Sequence, residues 1–133
     1  MTDLVFFYGT LMSGFKRPGR SRIDAKLASE GRGWISASLF DLGIYPAAIP
    51  ATDTRVWGEV HRMLDGEAVL NALDEIEGYQ PTRPDASLYM RSETAVTFDD
   101  GHVASAWVYF YNAPLGRAQR IESGDYLEHL NVK

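Results

Sequence analysis

The chain has no cysteine among its 133 residues. It therefore has no disulfide, no thiolate nucleophile and no cysteine-based metal site, and this lack is typical of a protein from a reducing compartment. Long hydrophobic runs are missing as well. The apolar stretch from Leu4 to Phe7 follows no basic segment and is too short for a signal peptide or a membrane span. These absences predict a cytoplasmic protein with no membrane partner.

The chain has fewer positively charged than negatively charged residues. The 13 lysines and arginines are outnumbered by 18 aspartates and glutamates, which gives a net charge of -5. A mildly acidic surface disfavours non-specific binding to nucleic acid, so we expect no nucleic-acid partner. The densest basic stretch contains Lys16, Arg17, Arg20 and Arg22. These cations could hold a phosphate or a carboxylate, but a solvated loop is the more common arrangement.

Metal and nucleophile motifs are lacking too. The histidines His61, His102 and His129 lie far apart without ligand spacing, so we expect no metal site. No serine stands in a nucleophile-elbow pattern, and the early Gly9-Thr10 pair is not followed by the Gly-Lys-Ser/Thr of a P-loop.

What is present is an ordinary globular composition, with 45% hydrophobic and 12% aromatic residues. The length predicts one domain over residues 1–133. Apolar and alternating patterns predict the strands Leu4–Tyr8, Trp34–Leu42, Thr54–Met63, Leu88–Phe98 and His102–Tyr111. The segment 23–29 is ambiguous and could be a short helix, and Asp99-Asp100-Gly101 predicts a hairpin turn. Five or six strands with one clear helix indicate an α+β domain, in which a curved, barrel-like sheet accommodates the strands.

The predicted helix runs from Glu67 to Glu77, with Asp65 as the N-cap and Gly78 as the stop. At about 100° per residue, its apolar stripe is centred on Leu73. This stripe contains Val69, Leu70, Leu73 and Ile76.

Glu77 falls about 40° from the centre of that stripe, whereas Glu75 points to the opposite side. A carboxylate that faces an apolar interior should have a pKa raised toward neutrality, which suits a general base. The alternative is that the helix frays after Ile76 and leaves Glu77 exposed in solvent.

The first strand ends in Phe7-Tyr8-Gly9-Thr10-Leu11. A Gly-Thr turn lets the backbone approach a ligand closely, and its successive N–H groups can hold a carboxylate or an oxyanion. An ordinary strand-to-loop transition would show the same residues.

Four segments together resemble the gamma-glutamylcyclotransferase-like (AIG2-like) family, in the family's order and over residues 4–126. They are Tyr8-Gly9-Thr10-Leu11, Gly43-Ile44-Tyr45-Pro46-Ala47, Val56-Trp57-Gly58-Glu59-Val60, and Leu73-Asp74-Glu75-Ile76-Glu77-Gly78-Tyr79 with the later Tyr89-Met90-Arg91. Each motif is weak alone, but the ordered set is fairly specific.

The resemblance implies a mixed, barrel-like sheet with a cavity at one end. It implies an enzyme without metal, nucleotide or redox cofactor that cyclises a small-molecule γ-glutamyl substrate to 5-oxoproline and releases an amine or amino acid. Glu77 matches the family's catalytic glutamate, and Tyr8, Gly9, Thr10 and Leu11 match its substrate-binding loop. Tyr126 resembles a C-terminal aromatic that lines the pocket in some members.

Other residues are weaker candidates. Tyr89 and Arg91 are expected to be structural rather than substrate contacts. Glu59 is a second acidic candidate, but a solvated or structural role is favoured because it shares a strand face with Trp57 and His61.

Two other functions stay open at this point. The same cavity could bind a small amino-acid-like ligand without turning it over. The aromatic residues could instead form an interaction surface, although their placement on strands favours core packing; they are Trp34, Trp57, Trp107 and Phe110. The sequence leaves the physiological substrate, the leaving group and the oligomeric state undetermined.

Overall fold

The computed structural model of the chain describes residues 2–13, 15, 17 and 19–131. Six strands are present: β1 (Leu4–Phe7), β2 (Leu27–Asp41), β3 (Pro46–Met63), β4 (Tyr89–Phe98), β5 (Val103–Tyr111) and β6 (Gln119–Ile121). The two α-helices are α1 (Gly66–Glu77) and α2 (Tyr126–Asn131). Short 3₁₀ turns occupy Arg20–Arg22, Asp24–Lys26 and Pro84–Ala86. Within these described residues, neither helix is long and apolar enough to span a membrane.

Five strands form a closed barrel. The hydrogen-bonded order is β3-β1-β5-β4-β2, and β2 pairs again with β3, which closes the sheet on itself. β1 runs parallel to β5, whereas it runs antiparallel to β3 on its other side. β6 adds to the end of β2 outside this ring. The predicted α+β class and barrel-like sheet are confirmed.

The two long strands β2 and β3 begin well before their predicted starts at Trp34 and Thr54. Their pairing contains a register shift, because Ser36 lies opposite Arg55 while the next residue, Ala37, lies opposite Pro50. The intervening residues 51–54 bulge out of the ladder. Polar and glycine residues in β2 and prolines in β3 weaken the local strand signal, and the long-range pairing of the two strands overrides it.

Helix α1 agrees closely with its predicted bounds. The Asp65 carboxylate accepts a hydrogen bond from the N–H of Ala68 at 3.2 Å, and Gly78 ends the helix in the left-handed region with φ 70°. Val69 and Leu73 are fully buried, so the predicted stripe faces the barrel.

The predicted hairpin between β4 and β5 is also confirmed. Gly101 turns the chain with φ 92°, and its N–H donates to the carbonyl of Phe98 at 2.9 Å. Of the aromatic residues considered above for an interaction surface, Phe110 is buried in the core and the three tryptophans are half-buried.

Candidate active site

Glu77 is the last residue of α1, and only 6% of its surface is exposed. The helix continues through this residue, so the alternative of a frayed end with a solvated carboxylate is wrong. Gly78 ends the helix immediately afterwards in the left-handed region, with φ 70°.

A pocket that opens to solvent lies beside this carboxylate. Its walls are built by the end of β1 and the following loop, the start of β3, the end of α1, and β4 and β5. The lining residues are Phe6, Phe7, Tyr8, Gly9, Thr10, Leu11, Arg17, Tyr45, Pro46, Glu77, Tyr89 and Tyr109. The structure thus brings together Glu77 and the whole Tyr8–Leu11 segment that the sequence singled out.

Burial dominates the electrostatics of Glu77. Desolvation raises its pKa from 4.5 to about 7, although the nearby Arg17 guanidinium acts in the opposite direction. Nη1 of Arg17 lies 3.3 Å from Oε1 of Glu77. The raised pKa agrees with the prediction from the sequence, and a carboxyl group with such a pKa can both accept and return a proton.

Arg17 is the site residue that the sequence interpretation placed wrongly, because a solvated loop was the favoured arrangement for the basic stretch. Its Nη1 donates to Oγ1 of Thr10 at 3.1 Å, and its Nη2 donates to the carbonyl of Ile76 at 3.4 Å. Its guanidinium also lies 5.3 Å from the centre of the Tyr45 ring. Arg17 therefore joins the loop after β1 to the end of α1 across the pocket.

The two other described cations of this stretch, Arg20 and Arg22, do not line the pocket. Arg20 donates through Nε to the carbonyl of Leu11 at 2.9 Å and also pairs with Asp24. Arg22 pairs with Glu75 at 3.1 Å where both side chains are exposed. Lys16 lies outside the described residues.

The loop after β1 has the features that the predicted cradle needs. A Cβ added at Gly9 would lie 2.7 Å from Cγ of Pro46, so this position permits a close approach that no side chain allows. The Gly9 carbonyl accepts from the N–H of Met12 at 3.0 Å, which closes the turn. Within the described parts of the chain, no hydrogen bond uses the N–H groups of Gly9, Thr10 or Leu11.

The hydroxyl of Tyr8 makes hydrogen bonds within the protein, in contrast to the N–H groups of the residues that follow it. It donates to the carbonyl of Tyr109 at 2.7 Å and accepts from the N–H of Ala48 at 3.3 Å. Burial raises the pKa of this phenol well above its ordinary value. The side chain of Tyr8 therefore fixes the wall of the pocket.

Two further tyrosines complete the wall. The Tyr89 hydroxyl donates to the carbonyl of Pro46 at 3.1 Å, and the Tyr109 hydroxyl donates to Oδ1 of Asp74 at 2.6 Å. Burial raises the pKa of Asp74, and the Tyr109 hydroxyl and the Arg91 guanidinium partly offset that rise. The Nε of Arg91 lies 3.7 Å from Asp74, so Arg91 supports the back of the site.

Tyr126 is the predicted site residue that the structure does not bring to this pocket. Its buried ring stacks on Phe15 with centroids 5.8 Å apart and on His129 at 6.4 Å, and it is absent from the lining residues. The expected substrate contact of Tyr126 finds no support in these interactions.

Glu59, on β3, contacts the loop after β1 and is not among the residues that line the pocket. Its Oε1 accepts from the N–H of Ser13 at 2.9 Å and lies 3.1 Å from Nε2 of His61. Burial would raise the pKa of Glu59, but the hydrogen bonds from His61 and Ser13 outweigh it and lower the pKa. Glu59 thus anchors the loop, in line with the structural role expected for it. The residues described contain no cluster of three or more side chains suited to hold a metal ion.

Sequence reasoning missed three features of the site: the inward position of Arg17, the wall formed by Tyr45 and Pro46, and the Tyr109–Asp74 pair. Tyr45 and Pro46 did belong to a recognised motif without an assigned role. Asp74 had a usable signal, because it lies near the edge of the apolar stripe of α1.

Comparison with known proteins points to one family. The family model described as gamma-glutamyl cyclotransferase, AIG2-like, matches residues 5–128. The gamma-glutamylcyclotransferase family protein YtfP of Escherichia coli is 36% identical over 90 residues, which cover 68% of this chain and 67% of that protein.

Solved structures share the fold. The solution structure of ytfP from Escherichia coli has a TM-score of 0.65 at 30% identity and covers 95% of this chain and 97% of that one. The crystal structure of YkqA from Bacillus subtilis has a TM-score of 0.73 at 27% identity and covers 99% of this chain. This chain spans only 42% of the YkqA chain. The match to the family model over most of its length shows that the chain belongs to the AIG2-like gamma-glutamylcyclotransferase family.

Proposed function

We propose that this protein cyclises a γ-glutamyl amide to 5-oxoproline and releases the attached amine or amino acid, with Glu77 as the single acid/base. The observation that carries the proposal is the buried Glu77 carboxyl group, whose pKa burial raises to about 7, in a pocket that the Gly9–Leu11 turn also lines. The small-molecule γ-glutamyl substrate follows from the family.

The reaction moves two protons from the α-nitrogen of the substrate to its leaving nitrogen, one after the other. Glu77 as a carboxylate takes a proton from the substrate's α-ammonium group, and the freed amine nitrogen attacks the γ-carbonyl carbon. A new C–N bond closes the five-membered ring, and the tetrahedral carbon then expels the original amide nitrogen. Protonated Glu77 gives its proton to that leaving nitrogen. The ring nitrogen still carries one extra proton, which the regenerated Glu77 carboxylate takes and passes to the released amine, so the amine departs as an ammonium ion and the enzyme ends as it began.

The turn after β1 supplies the second requirement. The oxygen of the tetrahedral intermediate carries negative charge and needs hydrogen-bond donors at its position. The N–H groups of Gly9, Thr10 and Leu11 have no acceptor among the described residues, so they are available for this oxygen. The contact of Gly9 with Pro46 holds the turn in place before substrate arrives.

The walls supply the third requirement, which is to fold the substrate back on itself. Tyr8, Tyr89 and Tyr109 are held by hydrogen bonds to the protein, so they form a rigid and largely apolar surface. Because the pocket holds the amine next to its own carbonyl, much of the entropy cost of cyclisation is incurred when the substrate binds and no longer adds to the barrier of the chemical step. Each of these steps uses proton transfer and hydrogen bonding by this chain's own residues.

The test is to incubate the purified protein with γ-glutamyl-amino acids and γ-glutamyl-amines and to measure 5-oxoproline. We expect product from at least one class, and a loss of roughly 100-fold or more in kcat for Glu77→Gln, because a positioned acid/base contributes roughly 10²–10⁴-fold. Glu75→Gln is the matched control, since Glu75 is on the same helix with 70% of its side chain exposed.

Three outcomes separate the alternatives. A wild-type protein that is inert across both classes of compound would contradict the proposal. Binding without product, equal in wild type and Glu77→Gln, would show the non-catalytic binding module instead. Full turnover by Glu77→Gln would show that another group is the base.

A further inference from the structure

Arg17 has hydrogen-bonding capacity in the pocket that the protein does not use. A guanidinium group carries five N–H donors. Nη1 makes two contacts, to Thr10 and Glu77, and Nη2 makes one, to the carbonyl of Ile76. The N–H of Nε and the second N–H of Nη2 have no acceptor among the described residues. Because Arg17 lines the pocket and its side chain is only 18% exposed, a ligand is a suitable acceptor for these donors.

The contact between Arg17 and Glu77 is a poor ion pair. It is a single contact of 3.3 Å, longer than the usual charge-assisted hydrogen bond and without the bidentate geometry that arginine and carboxylate prefer. Thr10, Ile76 and the Tyr45 ring hold the guanidinium where it is, independently of Glu77. The pocket therefore presents a fixed cation and a carboxyl group side by side.

An α-amino acid head group has the matching pair of charges. Its ammonium nitrogen and its carboxylate carbon are bonded to the same Cα and lie about 2.5 Å apart. A ligand whose ammonium group contacts Glu77 must therefore place its carboxylate beside that residue, on one side or the other. The neighbouring cation is Arg17, and a carboxylate there gains charge-assisted hydrogen bonds from the unused donors.

We propose that Arg17 binds the α-carboxylate of the γ-glutamyl substrate while Glu77 receives its α-ammonium group, so that only γ-glutamyl amides with a free α-carboxylate are processed efficiently. This inference rests on the proposed function and deepens it. It excludes one chemical class in particular: the N-terminal glutamine of a peptide has the same reacting amine and amide, but its α-carboxyl group is in a peptide bond.

The bound α-carboxylate also favours the first proton transfer to Glu77. When it engages the free N–H groups of Arg17, part of the positive field that stabilises the Glu77 carboxylate is neutralised. Glu77 then holds a proton more readily, at the stage when it must take one from the ammonium group.

The experiment compares γ-glutamyl-propylamide, which has a free α-carboxylate, with the same compound as its α-methylamide. Both have a free α-amine and the same leaving amine, so propylamine release measures both. We expect kcat/KM of the wild-type protein to favour the free carboxylate by roughly 10- to 100-fold, the value of hydrogen bonds to a charged group. In Arg17→Met the preference should fall to within about 3-fold, and Arg17→Lys should restore part of it because lysine keeps the charge without the planar donors.

Arg22→Met is the matched control, because Arg22 also pairs with a glutamate of α1 but does so on the exposed surface. It should keep the full preference. Unfolding curves of all variants check that the Arg17 substitutions leave the fold intact. The wild-type preference is itself a test that needs no variant.

Equal turnover of both compounds by wild type would overturn this inference and leave the proposed function standing. A preference retained by Arg17→Met would also overturn it. If wild type releases propylamine from neither compound, equilibrium binding to Glu77→Gln decides the inference, and the proposed function fails only if the γ-glutamyl-amino acids are inert as well. In this variant, the compound with the free α-carboxylate should bind roughly 10-fold or more tightly than its α-methylamide. Equal binding of the two compounds would refute a carboxylate site at Arg17.

Discussion

Replacing Glu77 by glutamine should make the protein more stable at alkaline pH, because the buried carboxylate costs folding free energy. Burial raises the pKa of Glu77 from 4.5 to about 7. At about 1.4 kcal/mol per pKa unit, the charged folded state is disfavoured by about 3 kcal/mol. A raised carboxyl pKa leaves stability unaffected below the unfolded pKa of about 4.5 and removes stability as the pH rises through about 7.

Glutamine has nearly the same shape and no charge, so it escapes this pH-dependent cost. The cost in wild type is about 1 kcal/mol at about pH 5 and about 3 kcal/mol at about pH 8. The stability of Glu77→Gln relative to wild type should therefore improve by about 2 kcal/mol between these two pH values. Effects of the substitution that do not depend on pH, such as altered packing, cancel in this difference, and the charge interaction with Arg17 is already contained in the pKa of Glu77.

Urea unfolding of both proteins at the two pH values measures their difference in unfolding free energy. For a chain of this size, a change of about 2 kcal/mol in that difference corresponds to several degrees in Tm. Glu75→Gln should show no such widening, because that side chain is 70% exposed. A gap between wild type and Glu77→Gln that is the same at both pH values would refute the argument that Glu77 is buried with a near-neutral pKa.

Two other substitutions probe the support of the site. Gly9→Ala places a Cβ 2.7 Å from Cγ of Pro46, so we expect a loss of about 1–3 kcal/mol in urea unfolding together with a loss of turnover as the turn shifts; unchanged values for both would contradict the close packing. Tyr109→Phe removes the 2.6 Å donor to the buried Asp74 carboxylate, which should cost about 1–3 kcal/mol of unfolding free energy. A neutral effect of this second change would mean that Asp74 finds another donor.

The parts of the fold that were predictable have strong local signals. Helix α1 combines a capping aspartate, a 3.6-residue apolar period and a terminal glycine, so its bounds and the inward direction of Glu77 follow from the sequence. The hairpin turn at Gly101 is equally local.

The missed parts depend on contacts between distant residues. β2 and β3 extend through polar, glycine and proline residues because each strand pairs with the other. Arg17 lies in a polar loop that gives no local signal of burial. Its side chain points into the pocket because it contacts Thr10 and also Glu77, which is 60 residues away in the sequence. The short β6 and α2 have little periodicity of their own and were not predicted.

The central claim is that the Glu77 carboxylate is the base that starts cyclisation, with a pKa raised by burial. The pH dependence of kcat/KM for 5-oxoproline formation tests it most directly, since it reports ionisations of the free enzyme and free substrate. We predict a rise in kcat/KM on the acid side with an apparent pKa of about 7. A profile that is flat between about pH 6 and about pH 8, or one that rises near the ordinary carboxyl pKa of about 4.5, would contradict the account.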